Sequence, residues 1–194
     1  MNGDWSSRAL AYLRKGISML RGRWALRQPG LVVWSALPVL GPRCLVTVER
    51  GAKLVFEGRF AADRDVEIVV YKGGELRFGE DVYVGHGSTI VCARSIEVGK
   101  GTLIADLVTI RDTNHRRVAD VPVGRSGVDS KPIRVGENCW LGSKVTVVAG
   151  ASIGNDVTVG ANAVLAGQFG DRCTLGGVPA RVLSNPPADE RGAA

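Results

Sequence analysis

Residues 133–166 read IRVGENCWLGSKVTVVAGASIGNDVTVGANAVLA, and the pattern repeats every six positions. Stepping by six from Val135 meets Leu141, Val147, Ile153, Val159 and Leu165, all aliphatic. The residues that follow them are Gly136, Gly142, Val148, Gly154, Gly160 and Ala166, nearly all small. Four places after each aliphatic come Cys139, Val145, Ala151, Val157, Ala163 and Phe169, mostly small or β-branched. A period of six fits neither an α-helix nor a heptad coiled coil. It fits a chain that turns a corner every six residues, so that three sides close a triangular coil of about 18 residues. One aliphatic per side then points inward and stacks on its counterpart in the next coil. Small residues beside it let the corner turn tightly, with φ > 0 at Gly or Asn. The predicted fold is all-β, a parallel β-helix of hexapeptide repeats whose hydrogen bonds run between coils. Periodicity does not fix its hand, and the crossover rule alone would favour a right-handed coil.

The beat extends upstream. Phe78, Val84 and Ile90 are followed by Gly79, Gly85 and Val91, and after two extra residues come Val98, Ile104 and Ile110. The words LRFGED at Leu76, IEVGKG at Ile96 and IRVGEN at Ile133 open three coils in similar terms. Before Leu76 the beat is looser, although Val46, Val48, Leu54 and Phe56 indicate an early, less regular coil.

Between Ile110 and Ile133 no hexad fits. Pro122, Gly124, Gly127 and Pro132 mark residues 112–132 as an extruded loop. A long insertion without structure of its own is usually functional or disordered. His115, one of two histidines in the chain, stands at its base, braced by the preceding coil. The segment is basic: Arg111, Arg116, Arg117, Arg125, Lys131 and Arg134 outnumber Asp112, Asp120 and Asp129. An imidazole in such a place suits a general base, and the competing reading is a loop histidine without a role.

The chain's 194 residues suffice for one domain with a real core. Hydrophobic content of 45% and a mean hydropathy of +0.07 describe a soluble globular chain. No apolar run approaches the ~20 residues that span a bilayer. The net charge of +6 admits a phosphate-bearing or polyanionic partner. Nucleic acid is disfavoured, because no zinc-finger or RNP pattern occurs. Cys44, Cys92, Cys139 and Cys173 form no CxxC and stand at no metal-ligand spacing from histidine, so they read as thiols in a reducing cytosol and no metal is expected.

Residues 1–40 are read as a basic amphipathic helical segment, with Leu10, Leu13, Ile17 and Leu20 at helical spacing among Arg14, Lys15, Arg21 and Arg23. Charges interrupt any signal-peptide core. The helix packs on the main domain in one reading and adheres to an anionic membrane surface in the other. The expected location is the cytoplasm, with peripheral contact at the inner membrane face in the second case. The β-helix domain is read as 41–183, and the tail 184–194 as disordered.

The ordered set VGKGTLIADLVTIRDTNH, an inserted loop, PIRVGENCWLGSKVTVVAGASIGNDVTVGANAVLAG and GGVPARVL resembles the hexapeptide-repeat acyltransferases. It looks most like their maltose, galactoside and nodulation O-acetyltransferase branch. The match spans Ile96 to Leu183 and continues more weakly to Leu76. The resemblance implies a left-handed β-helix, a homotrimer, and an acyl-CoA held between neighbouring β-helices. Acetyl-CoA is the default donor, with longer acyl groups such as succinyl or octanoyl as alternatives. It implies a sugar or glycan precursor as acceptor and His115 as the base that takes the acceptor's hydroxyl proton. Ser143 matches a position near the thioester carbonyl, where the oxyanion needs a donor. Trp140 matches a residue flanking the coenzyme groove; Gly142, Gly160 and Ala161 match small positions along the pantetheine arm. Arg181 matches a basic position near the coenzyme phosphates. Packing or corner roles would also account for Trp140 and the small residues.

Members acting on simple glycosides carry an Asn and an Asp where this chain has Gly85 and Ala93. The neighbouring His86 and Arg94 would instead hold an acidic acceptor, with Asp112 and Asn114 completing the substrate set; solvent-facing corners are the rival reading. Gly167 stands where the family carries a lysine. Three rival readings share the repeat. Carbonic anhydrases of the γ type need three histidines for zinc, and the chain has two. Nucleotidyltransferases need a further domain and a Gly-rich nucleotide loop. A non-catalytic β-solenoid that binds or scaffolds at a membrane surface remains the alternative.

Overall fold

The computed structural model describes residues 29–184. The readings of a basic helix before residue 29 and of a disordered tail after residue 184 lie outside the described residues. Three parallel sheets form the faces of a prism, and the chain visits them in turn about six times. Face A contains the strands Leu31–Trp34, Lys53–Phe56, Glu75–Phe78, Ser95–Val98, Ile133–Val135, Ser152–Ile153 and Gln168–Phe169. Face B runs from Val39–Leu40 through Val82–Val84, Leu103–Ile104, Trp140–Leu141 and Thr158–Val159 to Thr174–Gly177, and closes with the antiparallel strand Ala180–Ser184. Face C includes Glu67–Val70, Thr89–Cys92, Thr109–Arg111 and Thr146–Val147.

The sequence-defined boundary at residue 40 is corrected here. Leu31–Trp34 pairs with Lys53–Phe56 and Val39–Leu40 with Ala61–Ala62, so the last part of the supposed helical segment is the first coil of the solenoid. The early irregularity has a simple cause. Leu31 pairs with Lys53 and Lys53 with Glu75, a spacing of 22 residues. It shortens to 20 between Glu75 and Ser95, and to 18 between Arg134 and Ser152. The longer sides also point alternate residues inward, as at Leu54 and Phe56, both buried. Phe56 and Phe78 stack at 5.6 Å between ring centroids, and Phe60 lies 4.7 Å from each. Large rings thus fill the wide coils.

From Val135 onward the inward aliphatics recur every six residues. Leu141, Val147 and Leu165 are each 0% exposed. The buried polar residues Ser88 and Thr102 sit at corners where they complete backbone pairing. The Ser88 hydroxyl donates to the Ala105 carbonyl at 3.0 Å and accepts the Val108 amide at 3.1 Å. That of Thr102 donates to the Gly136 carbonyl at 2.9 Å. No helix of the described residues is long and apolar enough to cross a membrane.

Candidate active site

The insertion begins at the edge between faces C and A. Directly after Thr109–Arg111 the chain turns on Asp112, which is 0% exposed. One oxygen of its carboxylate accepts the Ala93 amide at 2.8 Å; the other accepts Arg94 at 2.7 Å and Ser95 at 2.9 Å. This anchors the insertion to the corner of the coil above. It also corrects the reading of Asp112 as a substrate contact, because its acceptor positions face the backbone. The Lys131 amide donates to the Asp112 carbonyl at 2.9 Å and closes the loop at its root.

The loop has its own structure. Thr113–His115 pairs antiparallel with Val128–Ser130, placing His115 opposite Val128. Arg116 braces the hairpin through an ion pair with Asp129, which holds the Asp129 carboxyl below its ordinary range. Farther out, a single 3-10 turn spans Val123–Arg125.

A groove of about 700 Å³ opens against this hairpin. Arg111, Thr113, Asn114 and His115 line it from the start of the insertion, and Val128 from the returning strand. Tyr71, Lys72 and Ala93 line it from the corners of the two preceding coils. Among the described residues the His115 imidazole, exposed at the groove, makes no hydrogen bond. Arg94 stands nearby but is turned to the hairpin, donating to the Ser130 carbonyl at 3.4 Å. Sequence reasoning found His115 and Asn114 but missed Tyr71, Lys72 and Arg111 as lining residues. The missing signal was the 22-residue spacing, which stacks the corner after Val70 on the corner after Cys92.

A second group gathers on face B and the edge between faces B and C. Trp140 projects outward, 54% exposed, between Leu103 and Thr158. Gly142 and Ser143 follow it; Gly160 and Ala161 occupy the same corner one coil on. Arg181 lies opposite Gly176 on the closing strand, its guanidinium donating to the Ala180 carbonyl at 2.9 Å. The two glycines differ. A Cβ at Gly142 would sit 2.7 Å from the Val159 carbonyl oxygen, so the next coil itself demands glycine there. A Cβ at Gly160 would meet nothing nearer than 3.4 Å. Its smallness is not required by the coils and leaves backbone open to a ligand.

His86 belongs to this second edge. Its Nδ1 lies 3.1 Å from the Asp106 carboxylate, and its backbone amide donates to the same oxygen. It does not line the groove, and within one chain it stands on a different edge from Arg94. The thiols are poor nucleophiles: burial first, then the nearby Asp112, pushes Cys92 up to about 12, and burial raises Cys44, Cys139 and Cys173. Among the described residues no group of three or more His, Cys, Asp or Glu could hold a metal.

The His115 groove and the Trp140–Arg181 strip therefore lie on different edges of one prism, separated by face C. His115 and Ser143 are one coil apart along its axis. His115 leaves the coil of Thr109–Arg111, and Ser143 belongs to the coil stacked directly on it. Adjacent coils are separated by only ~4.8 Å.

A family model described as "Bacterial transferase hexapeptide (six repeats)" matches residues 132–167. A protein of Mycobacterium tuberculosis named "Probable acetyltransferase" is 35% identical over 130 residues, covering 66% of this chain and 43% of the relative. The galactoside O-acetyltransferase of Escherichia coli is 30% identical over 112 residues, covering 57% of this chain and 54% of its own. The chain thus spans about half the length of both relatives. Among solved structures, an N-acyltransferase from Bacillus cereus in complex with dTDP and coenzyme A superposes with a TM-score of 0.66. It covers 80% of this chain and 85% of its own at 13% identity, which supports the fold.

Proposed function

We propose that this hexapeptide-repeat chain, a relative of named acetyltransferases, is an acyl-CoA-dependent O-acyltransferase that acylates a hydroxyl of a sugar or glycan precursor. The observation that carries the reading is His115, unengaged in an open groove at the root of a structured insertion. His115 takes the acceptor's hydroxyl proton as that oxygen attacks the thioester carbonyl. The tetrahedral oxyanion is stabilised by a hydrogen-bond donor, for which Ser143 is the candidate. Collapse breaks the carbon–sulfur bond, and the imidazolium returns the proton to the departing thiolate. Acyl ester and free CoA result.

The coenzyme strip is Trp140, Gly142, Gly160, Ala161 and Arg181. Trp140 flanks the arm, Gly160 lets it approach the backbone, and Arg181 meets the phosphates. One chain holds base and strip on different edges, so the complete site requires a second copy. A threefold rotation about an axis parallel to the prism brings one copy's His115 edge beside another's Ser143 edge without axial shift. The assembly is thus a homotrimer, with coils of left hand as in the hexapeptide-repeat acyltransferases that the sequence resembles. Acetyl is the donor group that accords with the relatives' names.

The test is thiol release from acetyl-CoA across a panel of sugar acceptors, wild type beside His115→Ala. Loss of a general base lowers kcat by roughly 10²–10⁴-fold. Undiminished turnover in the variant overturns the assignment, and absence of acyl-CoA binding favours the non-catalytic solenoid.

A further inference from the structure

The groove at His115 is lined by two cations, Lys72 and Arg111, and by no carboxylate. The acids close to it face elsewhere. Asp112 is buried against three backbone amides. Glu49 accepts the Lys72 amide at 2.9 Å, and Asp129 is paired with Arg116. Several cations on other edges and faces are neutralised instead: Arg43 by Asp65, Arg59 by Asp81 and Lys100 by Glu80 across coils, and Arg77 by Glu57 across coils and by Glu75 within its own strand. Among the described residues neither Lys72 nor Arg111 makes an ion pair. Both line the groove that His115 lines, from corners stacked along the same edge. Two unneutralised cations flanking a concave site favour a bound anion and disfavour a cationic one. A guanidinium also matches the planar oxygens of carboxylate or phosphate. Tyr71, 42% exposed, also lines the groove, and an aromatic ring suits the apolar side of a sugar.

We propose that the acceptor is an anionic sugar unit, with a carboxylate or phosphate held between Lys72 and Arg111 while the hydroxyl to be acylated faces His115. The inference rests on the acyl-transfer reading of the same groove and gives it a substrate class. It moves the anion contact from Arg94 and His86 to residues that line the groove.

The test is equilibrium binding of methyl glucoside, methyl glucuronide and glucose 6-phosphate to the full chain, wild type and the Lys72→Gln and Arg111→Gln variants. Both positions are exposed, and thermal melts confirm that the variants fold. At least one anionic sugar should bind about tenfold or more tightly than the glucoside, as a charge-assisted contact supplies. That preference should shrink in each variant and weaken with added salt. The uronate and phosphate arms show which anion fits. Equal binding of neutral and anionic sugars, no binding of either anion, or an unchanged preference in both variants overturns the proposal. Anion-selective binding without thiol release from acyl-CoA keeps this inference and removes acyl transfer; thiol release with a neutral preference does the reverse.

Discussion

Replacing Asp112 with alanine should loosen the root of the insertion. The native carboxylate accepts three amides at 2.7–2.9 Å, and the residue is fully buried. Hydrogen bonds to a charged group contribute roughly 1.5–3 kcal/mol each, but these three share one acceptor group. Truncation also leaves amides of the Ala93–Ser95 corner without partners. A net loss of roughly 3–5 kcal/mol follows, at the upper end for a single substitution. For a chain of this size that corresponds to a melting temperature lower by about 10 °C. Asp112→Asn is the informative companion, since it keeps the volume but places an NH₂ where an oxygen now accepts amides. It should lose more than half of the same stability. Thermal and urea unfolding at fixed protein concentration measures the loss, and hydrogen exchange at Ala93, Arg94 and Ser95 localises it. Wild-type melting and unchanged protection of those amides in Asp112→Ala would refute the anchoring role.

The two glycines of the strip should separate stability from coenzyme contact. Gly142→Ala forces its Cβ against the Val159 carbonyl and should cost about 1–3 kcal/mol in denaturation. Gly160→Ala should melt as wild type while raising the KM for acyl-CoA several-fold in the thiol-release assay. Leu141→Ala, cut from the centre of the core, should lose roughly 2–5 kcal/mol by urea titration. Acid should destabilise the solenoid through its ladders. Asp65 is held below its ordinary 3.8 chiefly by hydrogen bonding to Arg43, and Glu75 below 4.5 chiefly by Lys53. Their contribution is present above those ordinary values and is lost as pH falls through the lowered folded ones. Because the pairs are exposed, the dependence should be shallow and should shrink in 1 M salt.

The regular coils were legible because their sides are six residues long, so the inward aliphatics recur at one fixed interval. Val135, Leu141 and Val147, spaced by six in the sequence, are all within 1% of full burial. The earlier coils hid because their sides lengthen, as in the 22-residue match of Val70 with Cys92, which blurs a six-residue count. A search for matches 22 residues apart would have aligned Leu54 with Leu76 and exposed the first coil. His115 was legible as the residue where the beat stops. Asp112 was misread because a single sequence does not distinguish a carboxylate facing solvent from one facing three amides. Lys72 was missed because nothing local marks it; it reaches the groove only through the stacking of its corner on those of later coils.

Mixing two inactive variants tests the central claim most directly, since each supplies the half that the other lacks. His115→Ala keeps the coenzyme strip, and Gly160→Trp keeps the base but fills the strip with a bulky ring. If every site joins His115 of one copy to the strip of the next, random equal assembly makes about a quarter of the sites intact. Refolding the two together should restore roughly that fraction of wild-type thiol release, while each alone stays near background. Activity of the mixture no greater than that of the separate variants would contradict a site shared between copies.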